Sequence, residues 1–239
     1  KVSLPGGCAW GPRPVDFHLK GLEKLGAKVT LRSGYISAEA KKLKGAKINF
    51  EFPSVGATGN IAMAAATADG ITTIENAARE PEIVQLCEYL NQMGASISGI
   101  GTSKIVIEGV ESLSPANTDV IPDRIEAGTF LMAGALLGKI TLNKVNPGHL
   151  DTVLQKLGEV GAQLETTSNS ITIKPGDLKP IDMKTAVYPG FATDLQAQWV
   201  ALMSLADGSS MVTDTVYHDR FSHVPELNRF GANIKVDKN

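Results

Sequence analysis

Four stretches of this chain read alike: LEKLGAKV (22–29), YLNQMGASI (89–97), LGEVGAQL (157–164) and LNRFGANI (227–234). Each passes from a helix-like segment ending in an apolar residue, through Gly-Ala, to an apolar position suited to a strand. Glycine enters the left-handed region without a Cβ penalty, so Gly26, Gly94, Gly161 and Gly231 are each expected to stop an amphipathic helix. One grammar recurring at spacings of about 65–70 residues implies a repeated α/β unit. The plainer alternative is a generic α/β protein in which Gly-Ala is an ordinary helix stop.

Outward from these copies, helices are expected near 58–68, 81–93, 125–136, 149–160 and 194–206. The Ala- and Met-rich run from Thr58 to Ala68 suits a buried helix. Strand-like runs fall at 28–32, 46–52, 71–75, 104–108, 139–142, 170–174 and 211–215, with period-two alternation clearest at 103–108 and 169–174. The stretch SLSPANTDVIP (112–122) is rich in Pro, Ser, Asn and Thr and is expected to link two domains, 1–121 and 122–239. Asp123 then suits a helix N-cap, with Glu126 as its capping-box partner.

The composition is that of an ordinary globular protein: 43% hydrophobic and 20% charged residues, with a formal net charge of −2. Neither half is basic, which counts against nucleic acid as a partner. No run approaches the ~20 apolar residues of a membrane span, and no secretory leader pattern is visible. The cysteines are Cys8 and Cys87, too few for a disulfide scaffold, so a cytoplasmic setting is expected. The four histidines lack metal-site spacing, and no metal is expected.

Several segments can carry chemistry. LPGGCAWGPRPVDFH (4–18) sets Cys8 in a Gly- and Pro-rich loop, with Arg13 placed to lower its thiol pKa or hold an anion. The bland reading is a surface loop with an incidental cysteine. Arg13 beside Pro14 could sandwich a flat base, with the backbone of Val15 to Phe17 reading its edge. PSVGATGN (53–60) puts small residues before a helix, favourable for phosphate but also a common helix start. It lacks the Lys-Ser/Thr ending of a Walker loop. Arg79 and Glu80 precede Pro81, and Arg124 and Glu126 open another helix; both pairs suit capping and surface ion pairs. Asp194, in YPGFATDLQAQW (188–199), reads as a helix cap unless other evidence assigns it a role.

Taken together, LPGGCAWGPRPVDFHLKGLEKLGA, SVGATGNIAMAA, TTIENAAREPEIVQL, VIPDRIEAGTFL, YPGFATDLQAQ and RFSHVPELNRFGA resemble the UDP-N-acetylglucosamine enolpyruvyl transferase family, in its order and nearly its spacing. The resemblance covers essentially the whole chain. It implies an α/β fold of the enolpyruvyl transferase type: an inside-out barrel of repeated βαβαββ-like units, in two domains that close on substrate and are both incomplete here. It also implies that residues 1–121 belong to the domain of the cysteine loop and 122–239 to the second.

The activity implied is transfer of enolpyruvyl from phosphoenolpyruvate to the sugar of UDP-N-acetylglucosamine, the first committed step of peptidoglycan synthesis, without a cofactor or an obligate protein partner. Residue by residue, Cys8 matches the loop cysteine that forms an adduct with phosphoenolpyruvate and is implicated as a general acid. Arg13 and Pro14 match the pair sandwiching uracil, and Val15, Asp16 and Phe17 continue the uridine site. Ser54, Val55 and Gly56 match the diphosphate turn. Asp194 matches the carboxylate at the sugar 3-hydroxyl, the candidate base, and Val216 a backbone contact to the amino sugar. Arg124 and Arg220 match cleft arginines. Phe52 departs from the family, standing where some relatives have a lysine near the diphosphate. The sister enzyme of aromatic biosynthesis, acting on shikimate 3-phosphate, lacks the GGC loop and the R-P-V-D pattern. A non-catalytic nucleotide-sugar-binding fragment is the reading of a different class.

Overall fold

All four Gly-Ala glycines turn left-handed, at φ values of 92° (Gly26), 101° (Gly94), 107° (Gly161) and 99° (Gly231), and each closes a helix. The computed structural model describes residues 1–4, 14–217 and 219–238. Its contacts divide the chain into two compact units, Lys1–Ile121 and Pro122–Asn239.

The first unit runs β1 (Val2–Ser3), α1 (Asp16–Lys24), β2 (Lys28–Arg32), β3 (Tyr35–Glu39), β4 (Lys47–Asn49), α2 (Val55–Ala65), β5 (Ile71–Glu75), α3 (Pro81–Gln92), β6 (Ser96–Ser98) and β7 (Lys104–Glu108). It holds a three-stranded sheet in the order β1-β3-β2 and a four-stranded sheet in the order β4-β5-β7-β6. Within the second sheet β4 and β5 are parallel and the remaining pairs antiparallel. Alternation decides which face turns inward: Ile105 and Ile107 are buried in β7, while Lys104 and Glu108 face solvent. The helices supply the interior. α2 buries Ala57, Thr58, Gly59, Ile61, Ala62 and Ala65 and leaves Gly56, Asn60 and Met63 exposed along one face. Small residues permit this close approach; a Cβ on Gly21 of α1 would lie 2.5 Å from Ile61 Cδ1.

The second unit runs α4 (Arg124–Leu137), β8 (Ile140–Asn143), α5 (Asp151–Val160), β9 (Gln163–Thr166), β10 (Ser170–Lys174), β11 (Met183–Lys184), α6 (Gln196–Met203), β12 (Val212–Thr213) and α7 (Val224–Arg229). Short 3-10 turns at Pro147–His149 and Thr193–Leu195 precede α5 and α6. β8, β10 and β9 form an antiparallel sheet, and β11 pairs with β12 in parallel, as β4 does with β5. The core gathers Leu131, Leu157, Ile171, Ile173 and Trp199, each fully buried and each contributing about 1.5–3 kcal/mol. Phe191 meets Trp199 edge-on at 5.3 Å.

The structure refines three expectations. The polar stretch after Ser112 is irregular but strapped along α3: Ser114 N–H donates to Met93 O at 2.8 Å, Tyr89 Oη to Ala116 O at 3.1 Å, and Gln85 Nε2 to Asp119 O at 2.6 Å. Glu80 is no surface residue; it is 6% exposed at the entry to α3. The first three Gly-Ala stops each feed a ladder strand, whereas residues 232–238 carry no strand, though Ile234 packs on the small cluster of Val200, Phe221 and Val224.

Candidate functional site

In the first unit the candidate residues cluster at one pole. Pro14 and Val15 lead into α1, whose first turn carries Asp16 and Phe17. Ser54 caps α2, its Oγ accepting Ala57 N–H at 3.3 Å. The N–H groups of Val55 and Gly56, at the first two positions, have no acceptor inside a helix and present partial positive charge. His18 brings the two helix starts together. Its Cε1 lies 3.1 Å from where a Cβ on Gly56 would stand, and its Nδ1 is 2.7 Å from Asn60 Nδ2. Gly21 packs on Ile61 one turn further along α1, so the two helices stay in contact beyond their first turns.

Burial of the His18 imidazole lowers its pKa below the ordinary histidine value, against the opposing pull of Asp16. Phe17 stands 5.9 Å from Phe50, fixing α1 against the strand edge. Asp16 pairs with Lys20 at 3.6 Å on the exposed surface, an ion pair of little energetic consequence. Phe52 is partly exposed beside this pole. Cys8 and Arg13 lie outside the described residues. Cys87 is fully buried in α3, and desolvation followed by the charge of Glu88 pushes its thiol up to about 11.

In the second unit Asp194 is not a helix cap, because neither the 3-10 turn nor α6 has a side-chain cap bond. Its carboxylate, half exposed, instead receives Arg220 Nη2 at 2.7 Å. The same guanidinium donates through Nη1 to Thr193 Oγ1 at 3.1 Å. Thr193 donates in turn to Asp214 Oδ2 at 2.6 Å. Asp214 is 1% exposed, and its Oδ1 also accepts Thr185 Oγ1 at 2.8 Å and the N–H groups of Val216 and Tyr217 at 2.9 Å each. Val216 therefore has its N–H occupied, leaving its carbonyl as the polar backbone group for a ligand.

Arg124 opens α4 and sits over the Tyr188 ring, 5.4 Å from its centroid, at the head of the loop that leads to Asp194. α4 and that loop are in tight contact: a Cβ on Gly128 would meet Leu195 Cδ1 at 2.6 Å. Asp123 caps α4, accepting from Ile125 N–H at 2.8 Å and Glu126 N–H at 3.3 Å. Sequence reasoning missed Asp214, Thr185 and Thr193. Asp and Thr beside short strands look like turn residues, and nothing in their spacing announces that they converge.

An α/β unit with helices packed inside twice-repeated sheets, and an Asp ahead of one helix paired to an Arg ahead of another, defines a class. The chain belongs to the EPSP synthase (3-phosphoshikimate 1-carboxyvinyltransferase) family, whose model matches residues 1–239. Within it, the chain is 55% identical over 243 residues to UDP-N-acetylglucosamine 1-carboxyvinyltransferase of Chlorobium chlorochromatii, covering 100% of this chain and 57% of the relative. It is 56% identical to the enzyme of that name from Chloroherpeton thalassium, with the same coverage. For one such enzyme of Caldanaerobacter subterraneus subsp. tengcongensis the identity is 53%, over 99% of this chain and 58% of the relative. The chain thus spans a little under three-fifths of the length of these relatives. Among solved structures, the enolpyruvyl transferase NikO from Streptomyces tendae matches with a TM-score of 0.85 at 25% identity, over 95% of this chain and 57% of that one. EPSP synthase from Acinetobacter baumannii matches with a TM-score of 0.60 at 23% identity, over 84% of this chain and 48% of that one, a likeness of fold alone.

Within the described residues no helix is long and apolar enough to cross a membrane, and no group of three His, Cys, Asp or Glu could hold a metal ion.

Proposed function

We propose that this chain is the substrate-binding and catalytic part of an enzyme that transfers enolpyruvyl from phosphoenolpyruvate to the 3-hydroxyl of UDP-N-acetylglucosamine, in the cytoplasm, as the first committed step of peptidoglycan synthesis. The observation that carries this reading is identity of more than half along the entire chain to enzymes bearing that name. The first unit supplies the nucleotide end. Arg13 and Pro14 hold the uracil, Val15, Asp16 and Phe17 continue the uridine site, and the N–H groups of Val55 and Gly56 after Ser54 take the diphosphate. The Ser54-capped start of α2, with His18 of α1 packed on Gly56, supports that assignment.

The second unit supplies the sugar end. Asp194 accepts the proton of the attacking hydroxyl, and Val216 receives the acetamido N–H on its carbonyl. The hydroxyl oxygen adds to C2 of phosphoenolpyruvate while C3 gains a proton, from Cys8 in this reading. The tetrahedral adduct then expels phosphate as C3 gives a proton back, leaving the enol ether. Such a reaction needs a base, an acid and cations around phosphate; Arg124 and Arg220 are the cations offered here. No metal, organic cofactor, nucleic acid, membrane or obligate protein partner enters the scheme.

The test is substrate choice by the full-length enzyme. Inorganic phosphate should appear from phosphoenolpyruvate with UDP-N-acetylglucosamine and not with shikimate 3-phosphate. Release with shikimate 3-phosphate alone would move the protein to the sister activity. Release with neither would leave a binding protein.

A further inference from the structure

We infer that Asp214 and Thr193 are positioning residues that hold Arg220 against Asp194, so that a carboxylate buried in the fold sets the geometry of the half-exposed one at the surface. The inference rests on the proposed role of Asp194 and deepens it.

The direction of every bond in the chain is fixed by chemistry. A guanidinium N–H can only donate, so Thr193 Oγ1 must accept from Arg220 Nη1. The hydroxyl then has one proton to give, and the acceptor within reach is Asp214 Oδ2 at 2.6 Å. The backbone N–H groups of Val216 and Tyr217 can only donate, so Asp214 Oδ1 is an acceptor too. Asp214 therefore orients Thr193, Thr193 presents its lone pairs to Arg220, and Arg220 reaches Asp194 with its second nitrogen.

Burial decides which end is the anchor. Asp214 is 1% exposed and tied to two backbone N–H groups and two hydroxyls, whereas the Asp194 side chain is 55% exposed and free to swing without its partner. Thr193 Oγ1 holds one edge of the guanidinium, and the Tyr217 ring lies against its face with the centroid 5.6 Å from Cζ, so the plane that reaches Asp194 is held at two points. Thr185 stiffens the anchor from behind. Its hydroxyl donates to Asp214, its carbonyl accepts Thr215 Oγ1, and its Oγ1 accepts Thr215 N–H at 3.0 Å.

The test uses Thr193→Val, which keeps the shape and removes the hydroxyl, Thr193→Ser, which restores it, and Asp214→Ala, which removes the acceptor of the Thr193 proton. In the full-length enzyme Thr193→Val should lower kcat about ten- to hundredfold, with the KM for the UDP-sugar nearly unmoved, and Thr193→Ser should recover most of the loss. Because Thr193 acts on Asp194 through Arg220, the same change should cost clearly less in an Asp194→Asn background than in the parent. A second readout is independent of turnover. In protein labelled with [15N]arginine, the Nη protons of Arg220 should rotate slowly in the parent and average in Thr193→Val and Asp214→Ala.

Equal losses in both backgrounds, or Nη signals unchanged by Thr193→Val, overturn the inference. If Asp194→Asn alone turns over like the parent, the base assignment has failed, and the Arg220 signals still decide the positioning claim.

Discussion

At the proposed diphosphate turn unit one offers backbone, and at the proposed sugar hydroxyl unit two offers side chains. At the pole of α1 and α2 the recognising groups are the N–H groups of Val55 and Gly56, held in place by a Ser cap and by glycines that let His18 and Ile61 close in. In the second unit the proposed recognising groups are Asp194 and Arg220, held by a relay of polar side chains ending in the buried Asp214. A backbone site tolerates change of side chain as long as the turn survives. A relay does not, because every member fixes the direction of the next bond. Substitutions along the Asp194 relay should therefore change rate at constant affinity, and those at the α2 turn should change affinity.

The largest effect should come from Asp194→Asn. Asn still accepts from Arg220, and the residue caps no helix, so thermal stability and UDP-sugar affinity should stay near those of the parent in the full-length enzyme. Turnover should fall by about 10²–10⁴, the usual cost of losing a positioned base. Turnover within a few-fold of the parent would erase the contrast between the units.

Next comes the difference between the thiols. Cys87 is fully buried, and its thiol is pushed up to about 11, so at neutral pH its thiolate is roughly 10²-fold scarcer than that of an ordinary cysteine. Brief treatment with an epoxide, followed by peptide mapping, should place the adduct on Cys8. A raised folded-state value also has a stability sign. The contribution is full below the ordinary thiol value and is lost as pH rises through about 11, so alkaline unfolding should be shallower in Cys87→Ala. Preferential labelling of Cys87 in folded protein would remove the chemical role given to the loop.

The contrast between the units also explains what was legible beforehand. Helix stops are written locally, in one Gly and its apolar neighbours, and all four were readable. Strands with alternating Ile, such as β7 and β10, were equally plain. β3, with Tyr35 and Ile36 as its only large apolar residues and an exposed end, offers little alternation to read. β11 is two residues long and exists through its pairing with β12. The backbone-built pole could be suspected from PSVGATGN, because small residues before a helix are themselves the mechanism. Asp214, Thr193 and Thr185 could not, since convergence of residues 185, 193 and 214 depends on the packing of β11 and β12 against the turn before α6. Asp194 was visible through resemblance, and on local grounds it was misread as a cap.

A smaller effect is expected at Gly128, which touches no proposed ligand. An added Cβ would stand 2.6 Å from Cδ1 and 3.0 Å from Cδ2 of the buried Leu195, so in Gly128→Ala that side chain must shift, and the turn carrying Thr193 and Asp194 is expected to move with it. Overpacking of this kind costs about 1–3 kcal/mol of stability. Displacement of Asp194 should lower turnover roughly tenfold beyond any loss of folded protein. The check is kcat normalised to folded fraction. Gly59→Ala, in the first unit, is the control: its Cβ would be 3.2 Å from the flexible tip of Leu86, and it should cost stability without that kinetic penalty.

The smallest and most diagnostic effect concerns His18. Its imidazole packs on Gly56 with Nδ1 at Asn60, and burial holds its pKa below the ordinary value despite Asp16. The charged group opposing burial sits on α1 itself; α2, packed against the ring, carries no charged side chain. A depressed histidine makes its contribution above its ordinary value and loses it as pH falls, so free protein near neutrality holds His18 uncharged. A diphosphate at the N–H groups of Val55 and Gly56 would bring negative charge to that ring and raise its pKa again. Binding should therefore take up a fraction of a proton at about pH 6.5, measurable as a dependence of the calorimetric enthalpy of UDP binding on the ionisation enthalpy of the buffer. The uptake should disappear in His18→Asn and be absent for uridine, which lacks the phosphates. Buffer-independent enthalpies in the parent would mean that the anion binds away from the α2 turn, and the backbone half of the comparison would lose its physical basis.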